Sequence, residues 1–180
     1  MIVNMNDKAK DLYYNNVKSG LKATNSQDAI DEVSGKVDQI AGNQIPEEYL
    51  EAAKKTADYF IEHCKKTDYL PVIDFMAPET PVYYDSTAGV CAACGMLEIA
   101  KCVSEEEGKR YTEEAIHILK ACDQHFCNYE ENEDALVLMG SERYPSLEEY
   151  KRGVHIPIIY GDFFFVEAML KLKGNEFFIW

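Results

Sequence analysis

The sequence predicts an all-α protein built from antiparallel helical hairpins in two layers. After residue 45, apolar side chains recur at spacings of three and four, which is the period of a helix and not of a strand. Amphipathic segments alternate with segments that have no polar face. Because a helix that is apolar all round must be enclosed, this alternation favours an inner and an outer layer. An irregular bundle with two buried helices is the alternative interpretation.

Four helices are predicted in this part of the chain. The first covers 46–65 and begins at Pro46, a residue that is common in the first turn of a helix. The second, 86–103, and the fourth, 160–173, are nearly all apolar. The third, 111–126, carries an apolar stripe on one face and charged side chains elsewhere. The outer layer therefore consists of the first and third helices, and the inner layer of the second and fourth.

The N-terminal part differs from the rest, so we divide the chain at residue 45. Residues 1–45 are more polar and form a divergent helical segment, with helices expected over 8–21 and 26–40 that several glycines weaken. This segment packs loosely or serves association. Residues 46–180 form the main unit. A chain of 180 residues is about one domain in length.

Charge and hydropathy exclude several classes of partner. The net charge of −14 makes nucleic acid and anionic membranes poor partners. The sequence has no apolar stretch of membrane-spanning length, and its start lacks the basic and apolar regions of a secretory signal. We therefore expect a cytoplasmic protein whose six cysteines are reduced.

Two of the cysteines have the spacing of a redox or metal motif. Cys91 and Cys94 form a CxxC pair, which could carry redox chemistry or supply half of a metal site. Neither a preceding strand nor a second ligand pair is evident, and both residues fall within an apolar helix. Cysteine behaves there as a small apolar side chain. We expect packing residues and no metal.

Three segments resemble the C-terminal part of glycoside hydrolase family 88, the unsaturated glucuronyl hydrolases. They are EEYLEAAKKTADYFIEH (47–63), PVIDFMAPETPVYYDSTAGVCAACGMLEIAK (71–101) and IYGDFFFVEAMLKL (159–172). The resemblance implies a partial (α/α)6 toroid. It also implies hydrolysis of a terminal 4,5-unsaturated uronic acid from oligosaccharides, by an aspartate that acts as general acid and base. No cofactor is implied.

The segments that the family uses for catalysis are not recognisable in this sequence. The family places its catalytic aspartates before a sugar-binding segment of the form W-x-R-G-Q-x-W, which should directly precede Pro46. The residues there read KVDQIAGNQIPEE, and the one tryptophan is Trp180. We therefore assign no catalytic residue and expect a truncated form that is inactive alone. The alternative is a non-catalytic helical module that binds sugar or a partner.

Three candidate substrate-binding residues precede or open the second helix. Tyr84 can offer an apolar face to a sugar ring, whereas its alternative role is to fill the loop. Asp85 and Ser86 stand where the loop enters the helix, so their side chains and the free N–H groups could line a sugar pocket. Either residue could instead cap the helix.

Three further candidates come later in the chain. Asp162 opens the fourth helix and could bind sugar hydroxyls, or serve as a first-turn charge or a buried structural acceptor. The stretch 140–155 contains Lys151 and Arg152, which could offset the global charge for an acidic oligosaccharide. A solvated loop is the alternative for that stretch.

The predicted architecture also has a consequence for association. Four or five helices are too few to close a toroid, so one flank of the inner layer would remain open. An exposed apolar flank favours a homo-oligomer or a partner chain that covers it.

Overall fold

The computed structural model describes residues 28, 45–131 and 134–175. By its internal contacts the chain divides into two units, Met1–Pro46 and Glu47–Trp180. The helices predicted over 8–21 and 26–40 lie outside the described residues, apart from Asp28. The architecture below is that of the second unit.

The described part of this unit contains four α-helices. They are α1 (Glu47–Lys65), α2 (Ser86–Cys102), α3 (Glu105–Phe126) and α4 (Ile159–Leu172), and a 3-10 helix spans Glu148–Gly153. Between residues 45 and 175, as far as they are described, extended backbone pairs only through isolated bridges such as Val72 with Tyr84. The all-α prediction is confirmed.

Helix α3 begins at Glu105 and not at residue 111, where the sequence analysis placed its start. The Ser104 side chain caps it by accepting a hydrogen bond from the Glu107 N–H at 3.3 Å. Three successive glutamates, 105–107, fill the first turn, where negative charge is favoured by the helix dipole. The apolar stripe that predicts this helix begins only at Tyr111. The polar first turn before it has no apolar side chains from which its helical period could be recognised.

The contacts between helices establish two layers. Within the outer layer, α1 and α3 run parallel: Lys54 pairs with Glu107 near the start of both helices, and Lys65 pairs with Glu114 further along both. The short connection at 103–104 makes α2 antiparallel to α3. Helix α2 packs against all three of the other helices. It is therefore the central element of the unit.

Helices α2 and α4 form the inner layer and also run parallel to each other. The Cys94 thiol donates to the Phe164 carbonyl at 3.1 Å, and further along both helices Glu98 pairs with Lys171 at 3.0 Å. The two layers are the arrangement that the alternation of amphipathic and apolar helices predicted.

Close backbone approaches allow α2 to pack centrally. A Cβ atom at Gly108 would lie 2.5 Å from the Ala100 carbonyl oxygen, so only glycine permits the α2–α3 approach. A Cβ atom at Gly89 would lie 2.5 Å from the Pro71 ring. These contacts bring the chain before α2 and the start of α3 against the same helix.

The two inner helices differ in how fully they are enclosed. Helix α2 buries eight of its 17 residues, including Val90 and Met96, and exposes Cys91, Gly95 and Lys101. Helix α4 leaves Ile159, Tyr160 and Val166 exposed by 73%, 63% and 48%. Complete enclosure was predicted for both helices and is found for neither, although α2 is the more deeply buried of the two. Among the described residues, no helix is both long and apolar enough to cross a membrane.

Candidate functional site

The N-termini of α2 and α4 lie side by side and flank a cavity of about 660 Å³, which we call the mouth. The two helices are close here: a Cβ atom built at Gly161 of α4 would lie in ordinary van der Waals contact with the Thr87 hydroxyl oxygen of α2, at 3.5 Å. The lining is mostly apolar and aromatic, with one carboxylate: Asp85, Thr87, Ala88, Cys91, Ile159, Tyr160, Phe163 and Phe164. A mainly apolar cavity with few polar groups is typical of a small-molecule site.

Asp85 is the predicted site residue that lines the mouth. It occupies the N-cap position of α2, where its carboxylate lies near the Ala88 and Thr87 N–H groups without the geometry of a full capping hydrogen bond. Its carboxylate instead accepts from the Ser141 N–H at 3.2 Å. Burial raises the pKa of Asp85, while the N–H groups of Ser141, Ala88 and Thr87 oppose that rise. A carboxyl group that is more readily protonated than usual therefore faces the cavity.

Ser86 lies behind the mouth and does not line it. The residue is fully buried, and its backbone N–H donates to the Met139 carbonyl at 3.1 Å. Its hydroxyl, like that of Thr87, is buried and has no hydrogen-bond partner among the described residues. Ser86 therefore cannot contact a ligand in the mouth of this structure, and it is not a side-chain cap.

Tyr84 belongs to a hydrogen-bonded cluster beside the mouth. Its N–H donates to His155 Nε2 at 2.9 Å, and its carbonyl accepts from the Ser141 hydroxyl at 2.7 Å. The Ser141 hydroxyl also accepts from the His155 N–H at 3.3 Å. The Tyr84 ring packs against the rings of His155 and Phe126. These contacts fix the backbone before Asp85.

The serine, histidine and aspartate of this cluster do not form a nucleophilic triad. The lone pair of His155 Nε2 is occupied by a backbone N–H, so it cannot accept the proton of the Ser141 hydroxyl. Burial lowers the pKa of His155, consistent with a neutral acceptor. Ser141 and His155 belong to the stretch 140–155, which was a candidate for substrate contact, and their contacts depend on the turn that brings 140–156 against the start of α2.

The other three predicted residues point away from the mouth lining. The Asp162 carboxylate accepts from the Val137 N–H at 2.7 Å, so it is a structural acceptor, which was one of its alternative interpretations. Lys151 and Arg152 lie on the exposed 3-10 helix. Lys151 pairs with Glu148 at 2.8 Å, which raises the pKa of the lysine. The structure does not bring either cation into the cavity.

The described residues contain no group of His, Cys, Asp and Glu side chains that could hold a metal ion. Of the CxxC pair, only Cys94 follows the packing interpretation. Cys91 is exposed at the mouth, while Cys94 is buried and donates to a backbone carbonyl. Burial raises the pKa of Cys94 to about 12, so its thiol stays protonated and is a poor nucleophile and metal ligand.

Comparison with known proteins identifies the relatives of this fold. The unsaturated glucuronyl hydrolase of Bacillus sp. (strain GL1) is 30% identical over 138 residues, which cover 73% of this chain. This chain is homologous to part of the unsaturated glucuronyl hydrolases, glycoside hydrolase family 88. The predicted resemblance is confirmed. No family model matches the chain.

Solved structures of unsaturated glucuronyl hydrolases confirm the toroid-like fold. The Bacillus sp. GL1 enzyme, described as responsible for the degradation of glycosaminoglycan, matches with a TM-score of 0.62 and 29% identity over 76% of this chain. A variant in complex with dGlcA-Glc-Rha-Glc matches with the same TM-score and 27% identity, again over 76%. Each match covers 35% of the solved chain, so this chain spans about a third of the length of its relatives.

Proposed function

We propose that this chain binds acidic oligosaccharides at the mouth and has no hydrolase activity of its own. The observation that supports this most directly is the position of the mouth: it opens at the N-termini of the two inner helices, in a fold homologous to part of the unsaturated glucuronyl hydrolases. One such enzyme is described in complex with dGlcA-Glc-Rha-Glc. The N-termini of helices are favourable for anions because their N–H groups are free.

The chemistry of the mouth fits a sugar acid in two ways. Tyr160 and the phenylalanines provide apolar surface for a ring, and Asp85 provides the single carboxyl group of the lining. Because burial raises the pKa of Asp85, its protonated form is reached at a higher pH than for an ordinary carboxyl. A protonated carboxyl donates a hydrogen bond to a sugar carboxylate and does not repel it.

The carboxylates near the mouth do not make a catalytic pair. Asp162 is held by the Val137 N–H, whereas Asp85 is held by the Ser141 N–H. General acid and base chemistry at a double bond requires a carboxyl group within reach of the reacting carbon, and Asp85 is the single carboxyl group of the mouth lining. The expected absence of the family's aspartates from this sequence supports the same proposal.

The proposal is tested with an unsaturated uronyl disaccharide and the purified chain. The enol ether of this sugar absorbs in the ultraviolet, and hydrolysis abolishes the absorbance. We expect no loss of absorbance above the rate without protein, and glucuronate should still shift the NMR signals of mouth residues. Loss of absorbance at a rate proportional to the protein concentration would contradict the inactive assignment, and it would place a catalytic group among residues to which we assign none.

A second candidate function, an interaction module, is favoured by the exposed face of α4. Ile159, Val166 and Leu170 are exposed, and their spacings of seven and four place them on one face of this helix. As an inner helix, α4 contacts α2 on one side, and its free side is as apolar as the side already covered. We propose that a second copy of this chain packs on this face.

A further inference from the structure

A second concave site is lined by the loop that leads into Tyr84 and Asp85. This aromatic cleft has a volume of about 540 Å³ and shares no lining residue with the mouth. Three separate stretches build it: the C-terminal end of α1, the loop 72–83, and Tyr144. Its aromatic and charged side chains include His63, Asp74, Phe75, Glu79, Tyr83 and Tyr144.

The walls of the aromatic cleft are held in place before any ligand binds. The two limbs of the loop are joined by a hydrogen bond from the Ile73 N–H to the Tyr83 carbonyl at 2.9 Å. The Asp74 carboxylate accepts from the Met76 N–H at 2.8 Å, which fixes the turn. Phe75 packs edge-on against Phe60, with ring centroids 5.2 Å apart. A site formed in advance loses little entropy on binding.

Aromatic rings from all three stretches meet in the cleft. Tyr83 and Tyr144 pack at 5.8 Å with nearly perpendicular rings, and His63 lies 5.1 Å from Phe75. The Nδ1 atom of His63 is 2.8 Å from the Tyr59 carbonyl, which can only accept, so this nitrogen carries the proton. The remaining nitrogen, Nε2, is then an acceptor. The π faces of such rings are electron-rich.

The charges of the cleft are unlike those that an acidic sugar requires. Asp74 and Glu79 are exposed carboxylates, and neither forms an ion pair with a cation of the described residues. The one ammonium group of the lining, Lys66, pairs with Glu62 at 3.6 Å. The protein as a whole carries −14. Both the local and the global charge therefore favour a positively charged ligand.

We propose that the aromatic cleft binds a small organic ammonium cation. The tyrosine and phenylalanine rings would contact the cation through their π faces, and Asp74 and Glu79 would neutralise its charge. This proposal does not depend on the sugar-binding function of the mouth, because the two cavities have separate linings and prefer opposite charges.

The test uses the full chain and a pair of ligands that differ only in charge, choline and its neutral isostere dimethylbutanol. We expect choline to shift the NMR signals of residues 72–83 and to bind at least about fivefold more tightly than the neutral compound. The double variant Asp74→Asn, Glu79→Gln should weaken choline binding about fivefold. Asparagine keeps the acceptor for the Met76 N–H, so the turn is preserved.

The matched control removes two exposed carboxylates elsewhere, Glu130→Gln with Glu149→Gln, and changes the net charge equally. It should leave choline binding unchanged within about twofold. The proposal is overturned if the two ligands bind with equal affinity, or if neither compound binds. It is also overturned if the NMR shifts lie outside the cleft, or if the control variant weakens choline binding as much as the double variant does.

Discussion

The carboxylate of Asp162, at the start of α4, accepts a hydrogen bond from the buried backbone N–H of Val137 at 2.7 Å. Ser86, at the start of α2, donates its own N–H to the carbonyl of Met139, two residues further along the same segment. The two inner helices are thus joined at one end through the chain that connects α3 to α4. This end of the unit holds the mouth.

We expect Asp162 to act on stability and not on ligand binding. Asp162→Ala leaves the Val137 N–H without its acceptor and should reduce the free energy of unfolding by about 1–3 kcal/mol, measured by urea denaturation. Asp162→Asn keeps an acceptor oxygen and should lose less than the alanine variant. A loss of glucuronate binding in a fully folded Asp162→Asn protein would show that the carboxylate contacts the ligand.

Two glycines of α2 should respond in opposite directions to the same substitution. Gly89→Ala places a methyl group 2.5 Å from the Pro71 ring and should destabilise by about 1–3 kcal/mol. Gly95→Ala, on the exposed side of the same helix, meets no atom within 4 Å and should stabilise by about 0.5–1 kcal/mol.

Thermal unfolding of the two variants checks this prediction, with each protein serving as the control for the other. If both substitutions stabilised the protein, Pro71 would not pack against α2 in solution.

Asp85 should make stability depend on pH. Since burial raises its pKa in the folded protein, protonation favours folding. Its favourable contribution is complete below the ordinary carboxyl pKa of about 4 and is lost as the pH rises through the raised value. Asp85→Asn keeps an oxygen for the Ser141 N–H and removes the buried charge. At neutral pH the variant should be more stable by less than about 1 kcal/mol, after allowance for solvent screening.

Urea denaturation over a series of pH values measures this difference. The advantage of Asp85→Asn should vanish in acid, where wild-type Asp85 is protonated, and Asp134→Asn, at an exposed carboxylate, is the control. If the stability advantage of Asp85→Asn over the wild type grew as the pH fell, the pKa of Asp85 could not be raised in the folded protein.

The exposed face of α4 should drive self-association. Val166→Lys places a charge at the centre of the apolar face and should convert an associated wild type into monomer, measured by light scattering. Tyr49→Ser changes an exposed aromatic residue on α1 and should leave the association unchanged. A wild-type chain that is monomeric at high concentration, with no surface that binds a hydrophobic dye, would contradict this prediction.

Helix positions were predictable because periodicity records which side chains are buried. The stripe of α1 and the apolar character of α2 placed both helices to within one residue at each end. The start of α3 was missed because a polar first turn carries no apolar period; the capping Ser104 and three glutamates were the available signal. The incomplete burial of α4 could not be read from composition, since it depends on how many helices surround it.

The candidate site was only partly predictable. The convergence of two inner-helix N-termini follows from the layered arrangement, and it places Asp85 at the mouth. The direction of a side chain does not follow from its position: Ser86 turns inward, and Asp162 turns toward Val137. The Ser141 and His155 contacts depend on a turn in which His155 has a φ of +57°, a conformation that no pattern in the sequence indicates.

Whether the mouth binds acidic sugars is decided by a titration of the isotopically labelled full chain with glucuronate. We expect weak, saturable NMR shifts at Asp85, Thr87 and Tyr160, which strengthen as the pH falls through the raised pKa of Asp85. Glucose, which lacks the carboxylate, should bind more weakly. Shifts confined to other surfaces, or no shifts at saturating sugar, would contradict this expectation.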